Sequence, residues 1–377
     1  MNEFIQVSIF SSLVIFFLVQ VYYYIFYFIR LARYKIPTTE NLSTQTPVSI
    51  IICAFNEFAN LQKNLHLILD QDYYNNGKKN FEVVVVNDNS TDESDYFLND
   101  LKQRFSNLSV IHLTQESLQI KGKKFPLSMG IKSAHFEHLL LTDADCVPSS
   151  NQWLKITANH FSNTKKIVLG FSPFIKQKGF LNKTIRFETC YSALQYFSFA
   201  LAKNPYMGVG RNLAYVKELF NKNKGFSAHH HILSGDDDLF INAIATKENT
   251  AVCIHPDAFV YSEAKNNIAK WNLQKKRHLS TGKYYKTKHK ISLGLSAFSH
   301  FFFWAFFITA LFTKFWFIAC AIFVFRWLFL WLIMNKVLKL FKEEDLLNLV
   351  WFFDFWYLWY HLKNIPNIFF KTSNRWK

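Results

Sequence analysis

Two carboxylates one residue apart, Asp143 and Asp145, close the apolar run Leu139-Leu140-Leu141-Thr142. Side chains of one sign held this close repel unless something positive lies between them, and a divalent cation on carboxylate oxygens supplies that charge. The same spacing occurs in turns that cap helices, so the pair alone leaves metal ligation and capping open. Further acidic groups recur at Asn56-Glu57, at Asp88 and at Asp236-Asp237-Asp238 after Gly235. A helix dipole explains one or two acids at a helix start, and the third is expected to be held for chemistry. The cationic counterpart is Lys270 to Lys283, with Gln274, Lys275, Lys276, Arg277 and His278. Those groups suit a phosphate-rich leaving group, and they equally suit a basic helix on a membrane surface. Gly208-Val209-Gly210-Arg211-Asn212 lets a backbone come close to a ligand and carries two side chains able to bond sugar hydroxyls or phosphate. A hairpin turn reads equally from that stretch. Three adjacent imidazoles, His229-His230-His231, cannot all face one metal and read as a solvated loop.

The elements that must position these groups are legible from periodicity. Val48 to Ala54 is a β-branched run too continuous for a one-sided strand, so it is expected to be buried on both faces of a largely parallel sheet. It ends in Phe55-Asn56-Glu57, and Leu61, Leu65, Ile68 and Leu69 come next at helical spacing. Phe81 to Val86 is a second strand, ending in Asn87-Asp88-Asn89-Ser90, and Ser90 with Glu93 reads as a capping box for a helix through Phe97 and Leu101. Val110 to Leu113 is a shorter strand, and a helix from about Phe125 to Ala134 precedes the strand that ends at Asp143. Strands alternating with helices make a doubly wound α/β sheet, whose ligands bind outside the carboxyl ends of the strands. Asn56, Glu57, Asp88, Asp143 and Asp145 are therefore expected to share one sheet edge.

Long uncharged stretches flank this middle. Phe4 to Ile29 carries no charge, which exceeds the roughly 20 residues needed to cross a bilayer, and Arg30, Arg33 and Lys35 come at once after it. The absence of a small-residue cleavage site reads as an uncleaved anchor, and the basic cluster places the residues beyond it in the cytosol. Ile291 to Thr313 and Phe315 to Met334 are two more spans with Lys314 in the turn between them. The expected organisation is an anchor at 1–35, a cytosolic catalytic domain at 46–285, two spans within 291–334, and at 345–377 a further spanning or interfacial segment with a basic tail, Lys371 to Lys377. Arg326 and Asp354 lie in apolar stretches, where charges are functional or paired, and the two are expected to pair or to face an aqueous path. The net charge of +16 sits beside the spans, which points to an inner or plasma membrane surface and away from nucleic acid. Five scattered cysteines fit a reducing compartment without disulfides or zinc.

In order, these motifs resemble those of the membrane-bound family 2 glycosyltransferases, inverting enzymes of GT-A fold that include cellulose and hyaluronan synthases. The resemblance covers about residues 46 to 285 and the flanking spans. Cys53-Ala54-Phe55-Asn56-Glu57 is similar to the family's Pro-x-Tyr-Asn-Glu, and Asn87-Asp88-Asn89-Ser90-Thr91-Asp92 to its Asp-Asp-x-Ser-x-Asp, with Asn87 replacing the first aspartate. Gly122-Lys123 with Gly130, Asp143-Ala144-Asp145, Gly235-Asp236-Asp237 and Gln274-Lys275-Lys276-Arg277-His278 come in the family's order, the last with His278 where polymer synthases carry tryptophan.

The resemblance implies a Rossmann-like GT-A domain that binds a nucleoside-diphosphate sugar, a UDP-sugar by expectation, through Phe55, Asn56, Glu57, Asp88, Lys123, Asp143 and Gln274. Asp88 would read the base. Mg2+ or Mn2+ would sit on Asp145, with Asp143 beside it or nearer the ribose. Asp237, with Asp236 next to it, would be the general base, Arg277 would assist the leaving diphosphate, and His278 would stand at the acceptor; from their own chemistry Gly210, Arg211 and Asn212 are expected to meet the acceptor too. A lipid-linked or membrane-proximal glycan is the expected acceptor. A processive polysaccharide synthase is the alternative, which His278 and the small number of spans disfavour, and a nucleotide-binding scaffold without turnover is the rival outside the enzyme class.

Overall fold

The β-branched runs form strands because both of their faces find apolar partners. In β1 (Val48–Ala54), Ile50 and Ile52 join a core with Leu61, Leu65 and Trp153, while Ile51 joins the opposite core with Leu127, Ile131 and Leu139. Burying one such side chain contributes roughly 1.5–3 kcal/mol, so a run of them fixes the strand more firmly than any turn residue nearby. The order continues through α2 (Phe58–Leu69), β2 (Phe81–Asp88), α3 (Ser94–Arg104), β3 (Leu108–Leu113), α4 (Lys124–Ser133) and β4 (His138–Asp143). A Cβ on Gly130 would meet Ile51 Cγ2 at 2.8 Å and Val86 Cγ2 at 2.9 Å, so α4 lies against the sheet only because that residue is glycine. This computed structural model describes residues 2–40, 42–114 and 122–369, without the side chains of 361 and 364–369. Lys121 and the basic tail 371–377 lie outside the described residues.

The remaining domain elements are β5 (Cys146–Pro148), α5 (Trp153–Ala158), β6 (Ile167–Gly170), α6 (Phe180–Leu201), β7 (Leu213–Val216), α7 (Lys217–Lys222), α8 (Asp238–Ile244), β8 (Thr250–Cys253) and β9 (Val260–Ser262). The sheet has seven strands in the order β8-β6-β7-β4-β1-β2-β3. Only β7 runs against its neighbours, β4 and β6, so the sheet is mostly parallel as expected. β5 and β9 make a separate antiparallel pair beyond the end of β4.

The capping box expected at Ser90 does not form. Ser90 Oγ instead accepts the Asn56 N–H at 2.9 Å, and Asn56 Oδ1 accepts the Thr91 N–H at 2.8 Å, so these residues stitch the loop after β1 to the loop after β2. Helix α3 starts four residues later, and Asp92 serves both neighbours, accepting Ser94 N–H at 3.1 Å and Phe58 N–H at 2.9 Å. Cross-loop bonding outcompetes local capping here because two strand ends lie side by side.

Among the described residues three helices are long and apolar enough to cross a membrane: α1 (Glu3–Ala32), α10 (Thr287–Ala310) and α11 (Trp316–Leu340). Helix α1 widens into a π turn at Tyr24–Phe28. Lys314, between α10 and α11, pairs with Glu3, and its N–H donates to Gln6 at 2.9 Å, which puts the start of α1 and that turn at one end of the bundle. After α9 (Ile268–Leu279) and these spans comes α12 (Val350–Phe369), which is not among the three. Arg326 and Asp354 do pair, at 2.7 and 2.9 Å through Nη1 and Nη2 of the guanidinium. Asp354 also lies 3.2 Å from His300 Nε2, Arg326 Nε donates to Gln20 at 2.6 Å, and the guanidinium covers the Phe303 ring. On the domain side, the buried Arg186 of α6 pairs with Glu343 and Asp345 after α11. The core facing α6 therefore runs on into the apolar helices, taking in Tyr24, Phe28, Leu330 and Phe353.

Candidate active site

The carboxyl ends of β1, β2 and β4 are in register, with Cys53 beside both Val86 and Asp143, and Ala54 beside Asn87. That register sets Phe55, Asn56, Glu57, Asp88 and Asp143 at one edge. Cys53 lies within electrostatic reach of Lys123, Asp143, Asp236 and Asp88; burial pushes its thiol up to about 12, the carboxylates push the same way and Lys123 opposes them. Four residues from separate stretches of chain thus meet around the end of one strand. Glu57 sits at the N-terminus of α2, and its carboxylate accepts a bond from Asn60 at 2.5 Å.

Asp143 forms an ion pair with Lys123. Burial alone would raise the Asp143 carboxyl, but Lys123, Arg211 and Arg277 outweigh it and hold it below the usual carboxylate range. Burial opposes charge on Lys123 as well, and Asp143 and Asp236 hold that lysine protonated. Asp145 behaves in the opposite way: burial, then the charges of Asp143 and Glu57, push it up against the pull of Arg211. Among the described residues its hydrogen bond comes from the Cys146 thiol, 3.5 Å away. Oxygens of Asp143 and Asp145 and the Cys146 sulfur all lie within 4.8 Å of one another. A carboxylate strained by an acidic neighbour is a site where an added cation is favourable, and oxygen donors suit Mg2+ or Mn2+. The Cys146 thiol, pushed far up by burial, stays protonated and adds no donor for a hard cation.

The three consecutive aspartates separate by partner. Asp238 is spent: Oδ1 accepts the Leu239 N–H at 2.7 Å, and Oδ2 accepts Tyr285 OH at 2.7 Å and Thr281 Oγ1. Asp237 accepts the Gly210 N–H at 2.9 Å and the Asp238 N–H at 2.7 Å, and is half-buried. Burial first, then Asp236 and Asp238, push the Asp237 carboxyl up to about 7. Asp236 lies within electrostatic reach of Lys123, Cys53 and Lys124.

The loop before β7 is a short 3-10 turn, Gly210–Asn212, and not a hairpin. Its role divides by residue. Gly210 gives its N–H to Asp237, while Arg211 donates to Ser172 O at 3.0 Å and to Ser262 Oγ and lies over Phe174, with its charge felt at Asp143 and Asp145. Asn212 is a correction. Its carboxamide is 1 % exposed and turned inward, accepting from Trp153 Nε1 at 3.0 Å and donating to Phe171 O at 2.8 Å and Ala258 O at 2.9 Å, which leaves nothing for an acceptor. Gln274, Arg277 and His278 lie at i, i+3 and i+4 of α9, on one side of that helix, with His278 exposed. Helix α9 is itself anchored: Lys275 pairs with Glu188 of α6, and Trp271 packs on Trp356 and Tyr360 of α12.

Two contributors were not anticipated. The Thr281 and Tyr285 hold on Asp238 spans more than 40 residues and leaves no periodic trace. Lys124 is different, because it falls in line with Leu127 and Ile131 on the buried stripe of α4, and a charge on such a stripe signals a specific partner.

Residues 49–223 match the family described as Glycosyl transferase family 2. Glycosyltransferase AglE of Haloferax volcanii is 29% identical over 128 residues, 34% of this chain and 40% of that protein. Poly(ribitol-phosphate) beta-glucosyltransferase of Bacillus spizizenii is 30% identical over 132 residues, 35% of this chain and 20% of that protein. The matched segment thus spans two fifths or less of these relatives. Among solved structures, mannosyltransferase PcManGT from Pyrobaculum calidifontis, in complex with GDP-Man and Mn2+, superposes with a TM-score of 0.60 at 18% identity, covering 97% of this chain and 99% of that one.

Proposed function

We propose that this chain, a family 2 glycosyltransferase by its residues 49–223, moves one sugar from a nucleoside-diphosphate sugar to a lipid-linked or membrane-proximal glycan with inversion at the anomeric carbon. The observation that carries the reading is the division of carboxylates at one sheet edge. Asp143 and Asp145 stand among Lys123, Arg211 and Arg277, while Asp237 stands apart with a pKa near neutrality. A general base works best with a pKa close to the working pH.

In this reading Phe55, Asn56, Glu57 and Asp88 line the donor's nucleoside end, with Gln274 of α9 also facing the donor. A divalent cation, Mg2+ or Mn2+, held by Asp145 and Asp143 would supply Lewis acidity toward the β-phosphate. Lys123 and Arg277 add fixed positive charge where negative charge grows on the leaving group. Asp237 takes the proton of an acceptor hydroxyl as that oxygen bonds to the anomeric carbon and the bond to the diphosphate breaks, so one displacement inverts the centre. Gly210 N–H aims the Asp237 carboxylate, and Arg211 and His278 are the side chains offered to the acceptor.

A membrane-proximal acceptor is favoured by how the base is mounted. Helix α8, which Asp237 caps, carries Asn242, and Asn242 bonds to Lys286 N at 2.8 Å and His289 Nδ1 at 3.0 Å at the start of α10. The base thus stands beside the entrance of an apolar helix. On this proposal residues 46–285 are cytosolic and the protein is a multi-pass inner or plasma membrane enzyme of envelope glycan assembly.

The test is to incubate membranes containing the protein with UDP- and GDP-sugars and Mg2+ or Mn2+, reading nucleoside diphosphate release and product mass. One added sugar on a membrane component supports the proposal. A ladder of products points to a processive synthase, and binding without release sinks the enzymatic reading. A UDP-sugar is the expected donor.

A further inference from the structure

We infer that Lys124 is a positioning residue for the proton acceptor: its buried ammonium folds the loop 229–235 and so fixes where Asp237 stands. The inference rests on the reading of Asp237 as the base. Lys124 is 0 % exposed, and its Nζ donates to the carbonyls of His229 at 2.8 Å, Ile232 at 2.6 Å and Ser234 at 2.6 Å. An ammonium has three donors, and here each meets one carbonyl of a single six-residue stretch. Taking the charge out of water costs several kcal/mol, and a leucine would satisfy the apolar stripe shared with Leu127 and Ile131 without that cost. The three bonds therefore do something packing alone does not: they gather a stretch that ends at Gly235, whose φ of +96° aims the chain into Asp236 and Asp237.

The neighbouring lysine gives the arrangement its meaning. Lys123 pairs with Asp143, while Lys124 holds the loop before Asp236, so the first turn of α4 ties the donor end of the site to the proton-accepting end. The titratable groups facing the Lys124 ammonium are His229 from the loop and Asp236, Asp237 and Asp238 from the start of α8.

The experiment uses the full chain in detergent with Lys124→Met and Lys124→Arg. Hydrogen exchange comes first and needs no substrate: Lys124→Met should raise exchange at 229–237 while leaving 139–145 protected. Unchanged exchange at 229–237 overturns the latch whether or not the protein is a transferase, and exchange raised throughout the domain overturns it as a local device. Transfer kinetics then separate positioning from simple support. For Lys124→Met, kcat should fall about 100-fold. The donor KM should stay within about twofold, and the acid limb of kcat should move up by about 1 pH unit, because a cation that favoured the carboxylates is gone. Lys124→Arg, which keeps the charge, should keep the wild-type limb. A rate and limb unchanged in Lys124→Met, with the loop opened, would show that the fold of the loop does not govern Asp237 and so end the proposal.

Discussion

The buried charge at the sheet edge and the buried charge between the apolar helices are built on opposite terms. In the helix bundle, Arg326 meets Asp354 through Nη1 and Nη2, His300 and Gln20 take up further valences, and Tyr24 OH donates to Gln20 at 3.1 Å. At the sheet edge, Asp143 has Lys123, but Asp145 and Asp237 are both held above the ordinary carboxylate range by burial and acidic neighbours. A charge whose partners are complete holds structure together. A charge left under electrostatic strain has something still to gain, from a cation or from a proton, and that is what chemistry requires.

The contrast can be broken at either end. The largest effect is expected from Asp145→Ala, which should leave no detectable transfer and no metal-dependent donor binding while the thermal transition stays within a few degrees. Asp237→Asn comes next, with kcat lowered by about 100- to 10,000-fold and donor binding retained, measured by turnover and by nucleotide titration. If that variant keeps most of its rate, Asp236 is the base, since both Asp238 oxygens are occupied. In the bundle the effect should fall on stability. Arg326→Leu leaves Asp354 buried and unpaired and should cost about 3–5 kcal/mol, read as lower yield and a lower melting temperature. Adding Asp354→Leu should restore most of it, an outcome a catalytic role for the pair would not allow.

The smallest effect is the pH dependence of Asp237. Transfer should fall as pH drops through about 7, because the base becomes protonated. Stability runs the other way: a folded pKa above the unfolded value stabilises fully below the unfolded pKa, near 3.8, and that contribution is lost as pH rises through about 7. Asp237→Asn should flatten that component in denaturant titrations at pH 5 and 8.

The legible part of the fold is the part that periodicity measures. Runs such as Val48 to Ala54 report burial on both faces, and a parallel sheet then places Asn56, Asp88 and Asp143 together without any knowledge of contacts. Ser90 misled because a capping box is a local pattern and a neighbouring strand end offered it a better donor, the N–H of Asn56. Asn212 misled because a polar side chain beside glycines reads the same whether it faces a ligand or three interior partners. The hold of Thr281 and Tyr285 on Asp238 lay beyond reach of the sequence, since it joins segments that share no period.

On the proposal that α10 crosses a bilayer, the clamp at Asn242 would make the lipid a mechanical input. A bilayer that does not match the apolar length of α10 is accommodated by tilting the helix, and tilt at its first turn displaces Lys286 and His289. Those are the residues that Asn242 grips, one helical turn past the aspartates. Bilayer thickness would then tune the aim of Asp237 more than the placement of Asn56, Asp88 and Asp143, whose strands the sheet holds in register. Vesicles of graded acyl length should change kcat and spare nucleotide affinity, and a kcat constant across the series would show the clamp to be slack.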